Sequence, residues 1–205
     1  MRDGRFIVFE GIDGAGKTTQ IGLLEQYLRG QGRQVWCTAE PTDSVTGGLL
    51  RDALSGAVPR TACEMAALFA LDRIHHNVRP VCGIGAMLRG GRDVICDRYY
   101  YSSMAYQGSE TDPDWVRRMN LDCPEIRRPD LCIFLDLTPE QSMERIRRGR
   151  VSQEIYETQE RLETVRERFL QVITALRGRD RIEIVNAARP PEAVQADIRA
   201  LVDRL

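Results

Sequence analysis

The segment Gly11-Ile12-Asp13-Gly14-Ala15-Gly16-Lys17-Thr18 satisfies the pattern G-x-x-x-x-G-K-[ST] at every specified position. Residues of these types at this spacing bind phosphate. The glycines let backbone amides approach phosphate oxygens without Cβ clashes. The lysine reaches the β- and γ-phosphates, and the hydroxyl serves a Mg2+ ion. A helix opening at Lys17 would turn its N-terminal amides and positive dipole end towards the same anion. Of the 29 basic side chains in this 205-residue chain, Lys17 is the one lysine and all the others are arginine. An ammonium is a compact point charge, whereas a guanidinium is a broad planar fork, and only the former fits inside a ring of backbone N–H groups. The sequence therefore predicts a nucleoside triphosphate site made by Gly11, Ile12, Asp13, Gly14, Ala15, Gly16, Lys17, Thr18 and Thr19, with Thr18 on the metal.

The solitary lysine also excludes rivals. GTPases that read guanine through N-K-x-D need a second lysine, and so do partition-type ATPases at the start of their loop. No post-strand segment supplies the D-x-x-G of a GTPase switch. A small-molecule kinase is the leading class. A formal net charge of −1 gives no reason to expect nucleic-acid or membrane partners. No apolar run approaches the roughly 20 residues that span a bilayer. The N-terminus enters a strand at once without a signal peptide, so a cytoplasmic chain is expected. The six cysteines form no C-x-x-C pair, and Cys37, Cys96 and Cys132 in apolar runs read as reduced structural thiols. His75 and His76 read as helix surface.

These residues need a frame. The apolar runs Arg5–Glu10, Gln34–Ala39, Asp93–Asp97, Asp130–Leu137 and Arg181–Val185 lack in/out alternation, which is how strands buried on both faces read. Between them, Ile21, Leu24, Tyr27 and Leu28 mark a helical stripe. Ala62–Leu88 predicts two helices broken at Pro80, Thr138–Gly149 a helix capped by Thr138, Gln153–Arg177 a long charged helix, and Pro191–Leu205 a closing one. Strand–helix alternation predicts an α/β domain over 1–205, a three-layer P-loop NTPase fold with a five-stranded parallel sheet flanked by helices. Ligands in such sheets bind at the carboxyl ends of the strands. There the sequence places the Gly11–Thr18 loop, Glu40-Pro41, Asp97-Arg98, Asp136 and Asn186-Ala187-Ala188.

Three segments together resemble the thymidylate kinases: Phe6 to Thr19, with an acidic residue inside the loop; Ala67 to Arg73; and Asp97-Arg98-Tyr99-Tyr100-Tyr101 through Ala105-Tyr106-Gln107-Gly108. The likeness continues in order through Asp136–Glu140 to Asn186-Ala187. It implies transfer of the γ-phosphoryl of ATP to dTMP, giving dTDP and ADP, with Mg2+ and a homodimeric enzyme. Phe69 and Arg73, four apart on one helix face, then correspond to the aromatic that stacks on thymine and the arginine that hydrogen-bonds it. The bland reading of the pair alone is a core Phe beside a surface Arg. Arg98 and Arg51 match arginines for the acceptor phosphate, and Asp97 holds the Mg2+ water shell or orients Arg98. Asp13 matches the residue reaching the sugar 3′-hydroxyl, and Tyr106 the one excluding ribonucleotides. Ser103 and Gln107 resemble residues near the base, Glu40 and Pro41 the acceptor side, and Asn186 and Ala187 the ATP side.

Holding two polyanions in line and neutralising the transferred group requires no strong general base, which suits a site of Lys17, Mg2+ and arginines. The loop positions Ile12, Asp13, Gly14 and Ala15 carry no arginine. The resemblance therefore points to a mobile lid around residues 145–155, with Arg148 and Arg150 flanking Gly149 as catalytic candidates. Two departures stand out. Ala39 precedes Glu40-Pro41 where many bacterial members have arginine, and the lid reads Val151-Ser152-Gln153-Glu154 in place of an Asp-Arg-acidic run. A kinase for another nucleoside monophosphate or for a deoxynucleoside, with Glu40 as base, stays open, as does a silent nucleotide-binding protein.

Overall fold

The computed structural model of the protein describes residues 3–149 and 158–205. The apolar runs form five parallel strands: β1 (Phe6–Glu10), β2 (Val35–Ala39), β3 (Asp93–Asp97), β4 (Leu131–Asp136) and β5 (Ile182–Asn186), in the spatial order β2-β3-β1-β4-β5. The central strand β1 is buried along its whole length, whereas edge strands β2 and β5 keep partly exposed residues. Burial on both faces explains why the central strands read as unbroken apolar runs. The expected boundaries differ by a residue or so at most ends, because the flanking residues Arg5, Gln34, Asp130 and Arg181 hydrogen-bond into the ladder without belonging to it.

Nine helices are present among the described residues: α1 (Lys17–Gly30), α2 (Val45–Leu54), α3 (Ala62–Val78), α4 (Ile84–Arg89), α5 (Tyr100–Glu110), α6 (Pro113–Leu121), α7 (Pro139–Gly149), α8 (Gln159–Leu176) and α9 (Pro191–Val202). Helices α1 and α9 pack together as one layer, while α3, α6 and α8 pack around α5 as the other. The break expected at Pro80 separates α3 from α4. Residues 153–157 of the expected long helix lie outside the described residues, and α8 begins after Thr158, whose hydroxyl accepts from the Arg161 N–H.

The topology fixes where a ligand can sit. From β1 the chain runs to β2 and β3 on one side and later to β4 and β5 on the other, so the crevice opens at the carboxyl end of β1. The phosphate loop leaves β1 at that point. Helix α3 is anchored at its start by a reciprocal capping box between Thr61 and Glu64, and it carries Phe69, Arg73 and His76 alongside the same crevice.

Candidate active site

The loop between β1 and α1 is shaped by glycine. Gly14 has φ 76°, and a Cβ there would stand 2.9 Å from the Ser142 carbonyl oxygen; at Gly11 (φ 147°) it would stand 2.8 Å from that of Leu135. Substitution is excluded by both conformation and contact. Lys17 is buried beneath the loop, its Nζ donating to the carbonyl oxygens of Gly11 (3.1 Å) and Ile12 (3.5 Å) and lying 4.0 Å from Asp13. Burial is the main cause that lowers its pKa, to about 8, with the nearby Arg98 cation adding to it. The site thus stores a desolvated cation that an incoming polyanion restores.

A cavity of about 890 Å3 spreads from this loop. Gly14, Gly16, Thr18 and Thr19 line it beside Asp97, Arg145, Ala187 and Arg189. Arg145 Nη2 donates to the Ala187 carbonyl (2.7 Å), and its Nη1 lies 3.8 Å from where a Cβ on Gly16 would stand. Asp97 Oδ1 is buried without a hydrogen-bond partner among the described residues. A carboxylate oxygen left in that state needs a ligand, and with the Thr18 hydroxyl on the same wall the pair fits a hard, oxygen-seeking cation.

Arg98 marks the boundary of the cavity. It alone among the described non-glycine residues has a positive φ, 66°, a conformation costing roughly 1–2 kcal/mol. The strain is held by a buried residue that the sequence reading passed over. Glu10, at the end of β1, accepts from the Tyr99 N–H (2.8 Å), the Ser102 N–H (3.1 Å) and the Ser102 hydroxyl (2.7 Å), fixing the chain just after the arginine, whose own N–H donates to the Phe9 carbonyl (2.9 Å). Desolvation raises the Glu10 pKa, against the opposing pull of Arg98 and these hydrogen bonds. Arg98 itself bonds Asp13 at 2.5 Å and stacks over the Tyr106 ring at 5.4 Å.

Beyond Arg98 lies a second cavity, of about 520 Å3. It shares Asp13, Glu40, Pro41 and Arg98 with the first. Phe69, Arg73, Tyr106 and Gln107 line it, and Leu54, Met65, Leu162 and Val165 add apolar surface. The core-Phe, surface-Arg reading of the α3 pair is overturned: Phe69 is half-buried on the cavity wall and Arg73 is only 1% exposed. Glu40, which precedes a cis peptide bond to Pro41, faces Arg73 Nε at 2.8 Å and Nη2 at 2.7 Å, while Arg73 Nη1 meets Ser103 Oγ at 3.2 Å and Asn120 Oδ1. His76 corrects the sequence reading as well. His75 is exposed as expected, but His76 is buried, 3.0 Å from Glu40 and 2.8 Å from Thr38. Helical spacing could not reveal that, because the partner carboxylate comes from another element.

Other expected residues stand away from the cavities. Arg51 is exposed and donates to the Thr42 carbonyl. Arg148 is an exposed partner of Glu144, and Arg150 lies outside the described residues. Asn186 accepts from the Ala188 N–H, and Asp136 is held by Arg166 Nε (2.7 Å) and Nη2 (3.0 Å). Ser103 reaches the second cavity only through Arg73. Arg145, Arg161 and Arg189 line the cavities; Arg145 opens the segment expected as the lid, whereas nothing in the sequence separates Arg161 and Arg189 from the other arginines.

Comparison with known proteins agrees with this geometry. A family model described as thymidylate kinase matches residues 9–198. A protein named probable thymidylate kinase from Pyrococcus horikoshii is 40% identical over 97% of this chain and 96% of its own. Its namesake from Methanothermobacter thermautotrophicus is 39% identical over 96% of this chain and 93% of its own. A protein named thymidylate kinase from Bifidobacterium longum subsp. infantis is 35% identical over 97% and 88%.

Proposed function

This chain belongs to the thymidylate kinase family, and on that premise we propose how its own residues divide the transfer of the γ-phosphoryl group of ATP to dTMP. The observation that carries the reading is the pair of cavities that meet at Asp13, Glu40, Pro41 and Arg98. A triphosphate on the loop and a nucleoside monophosphate in the slot would bring their phosphates together at that junction.

Lys17 takes the β- and γ-phosphates of ATP. Thr18 and Asp97 would hold Mg2+, directly or through water, and the ion would supply charge neutralisation on the triphosphate. Arg98 grips the acceptor phosphate, which is already largely dianionic at pH 7 because its second pKa is near 6, so its oxygen attacks without a base. The P–O bond to the new acceptor forms as the bond to the ADP oxygen breaks, and Lys17 stabilises the charge moving onto the leaving group. Asp13, bonded to Arg98, also lies within reach of the sugar hydroxyl. Tyr106, packed edge-on to Phe169 at 5.9 Å, is held rigidly enough to disfavour a 2′-hydroxyl. Arg51 joins the acceptor side from α2, whose Ala53 and Leu54 line the slot. Ala187 and Asn186 border the nucleoside of ATP.

Base choice follows from hydrogen-bond arithmetic. A guanidinium has five N–H donors. In Arg73, Nε and Nη2 face Glu40 and Nη1 faces Ser103 and Asn120. One Nη2 hydrogen therefore has no acceptor among the described residues. It suits a carbonyl oxygen, as on thymine, and not the amino group that cytosine has there. Phe69 supplies the stacking face and Gln107 a polar edge.

The proposal includes a single kinase domain in a cytoplasmic homodimer, with residues 145–155 as the lid that brings arginine charge to the phosphates. The test is a steady-state panel with dTMP, dUMP, UMP, CMP and thymidine as acceptors and Mg2+–ATP as donor. The expected result is the largest kcat/KM for dTMP, and a chain indifferent between dTMP and UMP sinks the reading.

A further inference from the structure

No step of the transfer uses His76, yet both of its ring nitrogens have partners in a site where burial is expensive. Nδ1 is 3.0 Å from Glu40 Oε1 and Nε2 is 2.8 Å from Thr38 Oγ1, with the ring edge-on to Trp36 at 5.8 Å. The other carboxylate oxygen, Glu40 Oε2, is the one shared by Nε and Nη2 of Arg73. Arg73 and His76 sit on adjacent turns of α3, so one helix holds both oxygens of a carboxylate that arrives from β2. The terminal torsion of a glutamate is broad and roughly two-fold. Held by Arg73 alone, the carboxylate could swing and take the guanidinium with it. A second donor on Oε1 stops that rotation. The threonine hydroxyl can donate to Nε2, leaving the ring proton on Nδ1, where it faces Glu40.

We propose that His76 is a positioning residue for recognition of the acceptor base: its Nδ1–H locks Glu40, and the locked Glu40 aims the remaining Nη2 hydrogen of Arg73 into the slot. The assignment rests on reading that slot as the dTMP site. It makes the chain Thr38–His76–Glu40–Arg73–Asn120 one connected device joining β2, α3 and α6. It also answers how Glu40 is held when Ala39 precedes it.

Three substitutions separate positioning from packing. Asparagine places an amide nitrogen where Nδ1 stands, and glutamine places one where Nε2 stands. His76→Asn therefore keeps the donor to Glu40 and loses Thr38, His76→Gln does the reverse, and His76→Leu loses both. KM for dTMP, KM for ATP and kcat are measured for each, with thermal midpoints alongside. His76→Gln and His76→Leu are expected to raise KM for dTMP about ten-fold, the effect of leaving a buried acceptor unpaired, with KM for ATP unchanged. His76→Asn is expected to stay near the wild-type KM. Should His76→Leu fail to fold, the Asn and Gln pair still decides. Equal impairment of that pair, or a wild-type KM in His76→Gln, overturns the proposal. A wild type that does not prefer dTMP sinks the reading of the slot instead, and the panel shows that before any variant is made.

Discussion

At the scale of single residues, the reaction depends on where charge is stored before substrate arrives. Lys17 is the sharpest case: it is buried, it donates to the Gly11 and Ile12 carbonyls and lies near Asp13, and burial draws its pKa down to about 8 from an ordinary 10.5. Lys17→Arg keeps the charge but needs room for a planar fork under the loop. A roughly hundred- to thousand-fold fall in kcat is expected, as for other lost electrostatic stabilisers; near-normal turnover would show that charge alone suffices. The same burial has a stability consequence with a definite sign. Between pH 8 and 10.5 the unfolded chain holds a proton on Lys17 that the folded chain has released, so folding gains stability as pH rises through that window. Below pH 8 both states are charged and the desolvation cost is fully present. Lys17→Met removes the cost. It should therefore unfold at a higher temperature than wild type at pH 7, with the gap narrowing by pH 10. Thermal midpoints of the two proteins at both pH values check this, and a gap that widens with pH contradicts the assignment.

Elements decide which of the many arginines can act. Helix α7 brings Arg145 to the wall of the donor cavity, over Gly16, while Arg148 one turn on is exposed and neutralised by Glu144. The catalytic charge assigned to the 145–155 segment can thus be divided by substitution. Arg145→Ala is expected to lower kcat about hundred-fold with KM for dTMP unaltered, and Arg148→Ala to lower it less. Single-turnover rates at saturating dTMP measure both, and a larger loss in Arg148→Ala would return the role to Arg148. Legibility followed the same division. The central strands were readable because burial on both faces leaves unbroken apolar runs, and the loop because its glycines and lysine are fixed by covalent spacing. Helices α2, α5 and α6 were not delimited. α2 has two internal glycines, Gly47 and Gly48, and α5 opens on tyrosines and serines, so propensity and periodicity are weak there and tertiary packing makes the helix. Glu10, His76 and Asn120 were illegible for a further reason. Each acts through a partner many positions away, at Tyr99, Glu40 and Arg73, and local spacing holds no trace of such pairings.

The whole molecule leaves one face unexplained by the reaction. Val45 (84% exposed) and Leu49 on α2, Leu71 and Val78 on α3, and Val81 (78% exposed) just beyond it are large apolar side chains in solvent. Helices α2 and α3 pack against each other, and residues four and seven apart share a helix face, so Val45 and Leu49 share a face of α2 and Leu71 and Val78 a face of α3. Apolar patches of this kind mark contact surfaces, and the proposed homodimer is the natural occupant, a second copy presenting the same patch about a two-fold axis. The placement has a functional edge. Leu71 looks outward from α3, and its chain neighbours Asp72 and Arg73 are buried inward, Asp72 holding Thr42 at 2.8 Å and Arg73 lining the slot. Pairing through this face would stiffen the helix proposed to read the base and leave the phosphate loop on β1 untouched. Leu71→Glu, which sets like charges against each other across the axis, is expected to give a monomer in sedimentation equilibrium at micromolar concentration. Its KM for dTMP should rise several-fold, as roughly 1 kcal/mol of ordering is lost from α3, and its KM for ATP should stay at the wild-type value. A variant that remains dimeric places the interface elsewhere, and a monomer with unchanged KM for dTMP separates assembly from base recognition.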